Sequence, residues 1–283
     1  MTRVAHPSPG CRFSPLTLAP VPSLSIVMPC LNGAGTILGS LDSIRDQGAS
    51  QLQVVVADGG SSDGTLDLLK IRRDVEWHSE PDLGLSDAFN RGVAMASGDI
   101  IGWLNADDVY LPGALFAVQE AFDAHPTLTW LTGRCLIYGE DGREIRRPVT
   151  RYKNALLRKY TYPLHLTHNF VSAPATFFRR DAFLAIGGMD LSLKYSMDYD
   201  LYLRFGRDSP PKILDRDLSA FTMAEGTLSM TGFEKQFAEH AAVAGRYRAD
   251  APLAVAANGG LSRGIVMAYR TMRLARRARS ALS

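Results

Sequence analysis

Apolar and polar positions fall in alternating blocks along the first half of the chain. The run "LSIVMP" (Leu24 to Pro29) is a short apolar stretch closed by proline, as expected of a strand buried on both faces. In "GTILGSLDSIRDQ" the apolar positions Ile37, Leu38, Leu41 and Ile44 recur at helical spacing, and "LQVVVAD" is a β-branched run that ends on Asp58. "SSDGTLDLLKIRR" opens on good N-cap residues and predicts a helix capped by Ser61, Ser62 and Asp63. After "VEWHSEPD" comes a helix from about Leu85 to Ala96. The strand "DIIGWL" then runs directly into Asn105-Ala106-Asp107-Asp108.

Strands alternating with helices predict an α/β fold, a parallel sheet with helices on both faces. Ligands of such sheets bind in the crevice beyond the carboxyl ends of the strands. Pro29 to Asn32, Asp58, Pro81-Asp82 and Asn105 to Asp108 all fall at those ends. The second half is less regular. "TLTWLTGRCLIYGEDGREIRRPV" predicts two strands around the turn Glu140-Asp141-Gly142, and "APATFFRRDAFLAIGGMD" a strand leading into a helix that ends at Gly187-Gly188. "MDYDLYLRFGR" predicts a helix with Asp198 and Asp200 in its first turn, where the helix dipole favours anions.

Several clusters invite chemistry. Asp107 and Asp108 are adjacent carboxylates at the end of an apolar strand, where they repel each other and resist desolvation. A hydrated turn would relieve them, and so would a divalent cation with a phosphate-bearing ligand on its other side. A carboxylate at the position of Asp58 can accept hydrogen bonds from a base or a ribose. "PCLNGAG" is a poor match to a dinucleotide fingerprint, and "DGGSSDGT" lacks the lysine of a phosphate loop because Thr65 follows Gly64. His165 and His168 in "HLTH" have no nearby cysteine or acid to complete a zinc site, which leaves them ordinary polar roles. "GTLSMTG" is no nucleophile elbow.

Composition narrows the setting. The net charge of +2 points to no particular partner and gives no reason to expect nucleic acid. Cys11, Cys30 and Cys135 are odd in number and widely spaced, which suits a reducing compartment. No apolar run reaches the ~18 residues of a membrane span. Residues 1–22 are broken by five prolines and read as a disordered leader, not a signal peptide, so a cytoplasmic protein is expected. At the other end, Leu261, Ile265, Ala268, Met272 and Ala275 form one helical stripe. Arg263, Arg270 and Arg277 lie roughly opposite, with Arg273 and Arg276 on the flanks. Such a helix suits peripheral contact with an anionic membrane on its inner face, or packing on the domain, where Val266 and Leu274 would help.

Five stretches carry a resemblance to a known family: "SIVMPCLNGAGTILGSLDSI", "VVVADGGSSDGT", "SEPDLGLSDAFNRGVAMASGDIIGWLNADDVYLPGAL", "PATFFRRDAFLAIGGMD" and "KYSMDYDLYLRF". In this order, from about Leu24 to Phe221, the chain resembles family-two glycosyltransferases, inverting enzymes of GT-A fold that use nucleotide sugars, often in cell-surface polysaccharide biosynthesis. The resemblance implies a Rossmann-like, mostly parallel sheet flanked by helices in residues 23–230, with a C-terminal helical extension in 231–283. It implies a hexosyltransferase-type enzyme moving sugar from a nucleotide-diphosphate donor to a carbohydrate or lipid-linked acceptor.

By position, the resemblance implies that Pro29, Asn32, Asp58 and Asp82 bind the nucleotide sugar, with Asp58 near the base. Asn105, Asp107 and Asp108 stand at the D-x-D motif, which holds ribose and a Mg²⁺ or Mn²⁺ ion on the diphosphate. Asn105 replaces its first carboxylate, which leaves Asp107 and Asp108 for the metal. Asp198 stands at the catalytic base, with Met197 in place of a glutamate. Thr222 and Ala224 stand where similar proteins carry an Arg and a His that close over the diphosphate. Two rivals remain: a catalytically inactive nucleotide-sugar-binding protein of the same fold, and a sugar-nucleotide nucleotidyltransferase. The second would want a basic Gly-rich loop after its first strand, and "PCLNGAGT" has no basic residue.

Overall fold

The computed structural model describes residues 22–223 and 232–280. The predicted leader, apart from Pro22, and Ala224 lie outside the described residues. So do the side chains of Ala268, Arg270, Met272, Arg273, Leu274, Ala275, Arg276 and Arg277. The first half runs β1 (Leu24–Cys30), α1 (Ile37–Arg45), β2 (Leu52–Asp58), α2 (Thr65–Lys70), β3 (Glu76–Ser79), α3 (Leu85–Met95), β4 (Ile100–Trp103), β5 (Val109–Tyr110) and α4 (Ala114–Ala124). The second runs β6 (Trp130–Gly139), α5 (Arg147–Leu157), α6 (Tyr162–Thr167), β7 (Thr176–Arg179), α7 (Arg180–Ala185), α8 (Met197–Asp208), β8 (Lys212–Met223), α9 (Phe233–Gly245) and α10 (Pro252–Ser280).

Among the described residues the strands form one mixed sheet in the order β3-β2-β1-β4-β7-β6-β8-β5. The pairings β3/β2, β2/β1, β1/β4 and β6/β8 are parallel, while β4/β7, β7/β6 and β8/β5 are antiparallel. Both faces are covered. Leu24, Ile26 and Met28 of β1 pack with Ile37, Leu41 and Ile44 of α1 and with Phe122 of α4. Val27, on the opposite face, packs with Phe89 and Val93 of α3 and with Phe178. Each such side chain contributes about 1.5–3 kcal/mol by leaving water. This two-sided burial is why β1 reads as an unbroken apolar run.

Pro29 sits inside this central strand without breaking it. The Cys30 carbonyl accepts from Gly59 N on the β2 side, so residue 29 faces the β4 side. There the pairing has already ended at Val27 with Trp103, and a proline loses no ladder bond.

The second half departs from expectation in one place. The turn at Glu140-Asp141-Gly142 forms, with Gly142 at φ 71° and its N–H donating to the Gly139 carbonyl at 2.9 Å. Its return arm is not a strand, however, because only Tyr138 and Glu144 bridge before α5 begins with Pro148 in its first turn. Proline cannot donate to a ladder and suits a helix start. The lasting partner of β6 is β8, whose Asp215 and Asp217 are met by Arg134 at 2.9 and 2.8 Å.

The C-terminal helices dock against α6 and α8. Asn258, 2% exposed, donates from Nδ2 to the Leu166 carbonyl at 3.0 Å and to Tyr199 Oη at 3.3 Å. The docked face is Ala254, Val255, Asn258 and Ser262, whereas Leu261 of the predicted stripe is exposed. A buried hydrogen-bonded amide helps set this face, and Ile265 of the predicted stripe, one turn past Ser262, is half-buried beside it.

Candidate functional site

The crevice beyond β1 and β2 is built by two loops tied to each other. Asn32 lies at φ 56°, a left-handed conformation asparagine tolerates. Its N–H donates to Ser61 Oγ at 2.7 Å, and its Oδ1 accepts from Ser62 N at 2.9 Å. Gly33 N donates to Thr65 Oγ1 and Ala34 N to Asp63 Oδ2, both at 2.9 Å. Ser61, Ser62 and Asp63 thus do more than the predicted capping. Asp63 does accept from Thr65 N at 3.1 Å, but the α2 N-cap is Gly64, and the three residues clasp the loop after β1.

Asp58 closes β2 and is 3% exposed. Oδ2 accepts from Gly60 N at 3.0 Å, Ser61 N at 2.9 Å and Ser79 Oγ at 2.6 Å, while Oδ1 accepts from Ser61 Oγ. Three of these four bonds crowd onto Oδ2, and Oδ1, with two lone pairs and one donor, keeps one for anything further. Asp82, after β3, accepts from Gly84 N at 2.8 Å and lies so close to Gly59 that a Cβ there would collide with its carboxylate.

The acidic turn follows β4. Asn105 joins strand to turn: its Oδ1 accepts from Trp103 Nε1 at 2.8 Å and its Nδ2 donates to Asp108 Oδ2 at 3.0 Å. Asp108 is fully buried, and its Oδ1 accepts from Thr222 N at 2.9 Å, which ties β8 to the turn. Asp107 is half-buried and accepts no side-chain hydrogen bond among the described residues. Burial lifts its carboxyl above the usual aspartate range; burial and then the Asp107 charge push Asp108 well above it. Gly33 brings the β1 loop against this turn, since a Cβ there would lie 2.7 Å from Cys30 Sγ and 3.3 Å from Ala106 Cβ. The four strand-end clusters therefore meet at one edge.

Two adjacent buried carboxyls, one raised further by the charge of the other and one of them open, suit a hard dication. No group of three or more His, Cys, Asp or Glu capable of holding a metal occurs among the described residues. Mg²⁺-type sites do not need one, because they use one or two carboxylates plus substrate phosphates.

Asp198 heads α8. Its Oδ1 accepts from Tyr199 N at 2.7 Å and its Oδ2 from Asn169 Nδ2 at 3.3 Å. Burial raises its carboxyl above the usual range, opposed by the Tyr199 N–H, the Asn169 amide and the charge of Lys153. Asn169 is a partner the sequence reading missed, because it belongs to no motif. Asp200, two residues on, is 2% exposed and engaged by Arg204 at 2.8 Å and Arg246 at 3.0 Å, a structural role. His165 is buried among Tyr160, Phe170 and Tyr199, and burial pulls its pKa down to about 3, so it stays neutral.

Comparison with known proteins fits this geometry. Residues 25–187 match Glycosyl transferase family 2, and the protein belongs to that family. It is 30% identical over 226 residues to a PGL/p-HBAD biosynthesis glycosyltransferase of Mycobacterium bovis, covering 76% of this chain and 82% of that one. Chondroitin synthase of Escherichia coli is 26% identical over 208 residues, 71% of this chain and 29% of that protein. Among solved structures, the mannosyltransferase PcManGT from Pyrobaculum calidifontis, in complex with GDP-Man and Mn²⁺, superposes with a TM-score of 0.59 at 19% identity, covering 96% of this chain and 85% of that one. S. aureus TarS in complex with UDP-GlcNAc gives 0.58 at 17% identity, over 78% and 66%. These likenesses establish a GT-A fold, and the enzyme is a glycosyltransferase.

Proposed function

We propose that the enzyme moves a sugar from a nucleotide-diphosphate donor to a carbohydrate or lipid-linked acceptor, with inversion, in cell-surface polysaccharide assembly. The observation that carries the reading is the open carboxylate of Asp107 on an edge shared with Asn32, Asp58 and Asp82. Pro29 and the tied loops around Asn32 and Asp58 form the nucleoside wall, with the remaining Asp58 lone pair available to the base. Asp82 backs that wall. Asp107 holds Mg²⁺ or Mn²⁺, and Asn105 and Asp108 brace it from behind, because both Asp108 oxygens already accept from the chain. When bound, the ion neutralises charge on the leaving diphosphate.

Asp198 is the base. It takes the proton of the acceptor hydroxyl as that oxygen attacks the anomeric carbon, and the bond from that carbon to the diphosphate oxygen breaks on the opposite face. One displacement inverts the centre and needs no covalent nucleophile. The C-terminal stretch supports contact with an anionic membrane, where lipid-linked acceptors reside: Arg263 to Arg279 includes no acidic residue, and Leu261 is exposed. No helix among the described residues is long and apolar enough to cross a membrane, so such contact is peripheral.

The test is a thermal-shift panel of UDP, GDP and dTDP and their sugars, with and without Mn²⁺, followed by chromatography for donor turnover. At least one nucleotide sugar should stabilise the protein in a Mn²⁺-dependent way and be consumed. No shift with any nucleotide would refute the reading, and binding without turnover would indicate the inactive relative.

A further inference from the structure

The two oxygens of Asp198 are held from different elements. Oδ1 accepts from the N–H of its neighbour Tyr199 at 2.7 Å, within α8. Oδ2 accepts from Asn169 Nδ2 at 3.3 Å, and Asn169 lies in the segment between α6 and β7. That segment is fixed on both sides. Phe170 and Val171 are buried in the core after it, and His165 and Leu166 are buried at the end of α6 before it. The Leu166 carbonyl accepts from Tyr199 Oη at 2.8 Å and from Asn258 Nδ2 at 3.0 Å, which ties α6 to the residue after Asp198.

The other end of the Asn169 amide is not satisfied. It bears on the His165 ring, but no hydrogen bond closes between them. Asn169 Oδ1 and both His165 ring nitrogens are buried without a partner among the described residues. A buried acceptor left without a donor costs stability, and native structures keep few of them. Leucine has nearly the same shape and would carry no such cost. Asparagine is therefore a poor packing choice at this position, and its one side-chain hydrogen bond among the described residues goes to Asp198.

We propose that Asn169 is a positioning residue for the transfer: its amide fixes the direction of Asp198 Oδ2, and so the lone pair that takes the acceptor's proton. This rests on the reading of Asp198 as base. An ionised carboxylate only accepts, so the amide must turn Nδ2 towards it. With the Tyr199 N–H alone engaged, the carboxyl could turn about its Cβ–Cγ bond, a torsion with broad wells. The second contact removes that freedom before the acceptor arrives. Asn169 exchanges no proton itself, and Oδ2 keeps a lone pair for the incoming one. Activity and stability are opposed at residue 169, as is common where a site is held for function.

The experiment uses the full chain as wild type, Asn169→Leu, Asn169→Asp, Asp198→Asn and the double variant Asn169→Leu/Asp198→Asn. Thermal unfolding is measured for each. Hydrolysis of the nucleotide sugar selected by the panel, with water as acceptor, gives kcat and donor KM. Asn169→Leu should melt no lower than wild type, while kcat falls about 10–100-fold at a donor KM within about twofold. Asn169→Asp keeps the shape but sets a second carboxyl against the first, and it should lose at least as much rate. In the Asp198→Asn background, Asn169→Leu should change kcat by less than about twofold, because the group it positions is gone. A kcat near wild type in both single Asn169 variants overturns the proposal, and so does an equal loss of rate with and without Asp198. A loss in Asn169→Leu accompanied by a lower melting temperature or a raised donor KM also overturns it, making Asn169 a packing residue or a donor contact. The reading of the base fails separately, if Asp198→Asn itself hydrolyses the donor normally.

Discussion

Asp200→Asn should cost folding stability and leave sugar transfer nearly intact, the reverse of what is expected at Asp198 two residues away. The Asp200 carboxylate is 2% exposed and is shared by Arg204 Nε at 2.8 Å and Arg246 Nη1 at 3.0 Å. Breaking a buried ion pair from one side leaves an uncompensated charge, typically at a cost of about 3–5 kcal/mol. Arg246 is 45% exposed and keeps Asp190 at 2.9 Å, so its share is discounted for solvent screening. Arg204 is 23% exposed and retains the Ile186 carbonyl at 3.0 Å, while its Nη2 is already buried without a partner among the described residues. A net loss of about 2–4 kcal/mol follows. Urea unfolding followed by tryptophan fluorescence reads it, since Trp130 stacks on Tyr202 of the same helix at 5.7 Å. With m near 3 kcal/mol/M the midpoint should fall by about 1 M at unchanged m. A midpoint shift under about 0.2 M would refute the energetic reasoning. Native-like stability with lost turnover would move the base to Asp200.

Two further outcomes are expected. Asp107→Ala should abolish the Mn²⁺ dependence of nucleotide binding in calorimetry, while Asp108→Ala should also lower the melting temperature because it frees Asn105 and Thr222 N. In the wild type, carboxyls raised above the ordinary range mean that the pair's own contribution to stability without metal is greatest at low pH and is lost as pH rises through its titration, and that protons compete with the ion. Mn²⁺ should therefore raise the melting temperature more at about pH 8 than at about pH 5, and the reverse order would contradict the assignment. For the C-terminus, the full chain should co-sediment with anionic liposomes at low salt, and a chain ending at Met267, which keeps Asn258 and Ser262, should not; equal pelleting would make the distal helix structural.

Much of the first half was legible because its physics is periodic. β1 to α4 alternate in blocks whose burial on two faces leaves a plain apolar pattern, and the strand ends place Asn32, Asp58, Asp82 and Asp107 together by topology alone. The second half hid its elements. The helix α5 buries Thr150 and Leu157 and otherwise reads as a charged run, so its first residues pass for the arm of a hairpin. The strand β8 carries Asp215 and Asp217, which look like loop residues until Arg134 on the neighbouring strand pairs with them. Asn169 belongs to no motif and reaches Asp198 only through tertiary packing. The apolar stripe of the last helix was visible, but not that a buried asparagine would anchor that helix to the domain.

The central claim is that Asp198 deprotonates the acceptor while the strand-end loops hold the donor. Its most direct test is the single-turnover rate of Asp198→Asn with the donor selected by the panel, alongside calorimetric donor affinity in Mn²⁺. Asparagine keeps the shape and an acceptor for the Tyr199 N–H but cannot take a proton at working pH. The account predicts a rate lower by about 10²–10⁴ with donor affinity within about twofold of wild type. A rate close to wild type at unchanged affinity would contradict it.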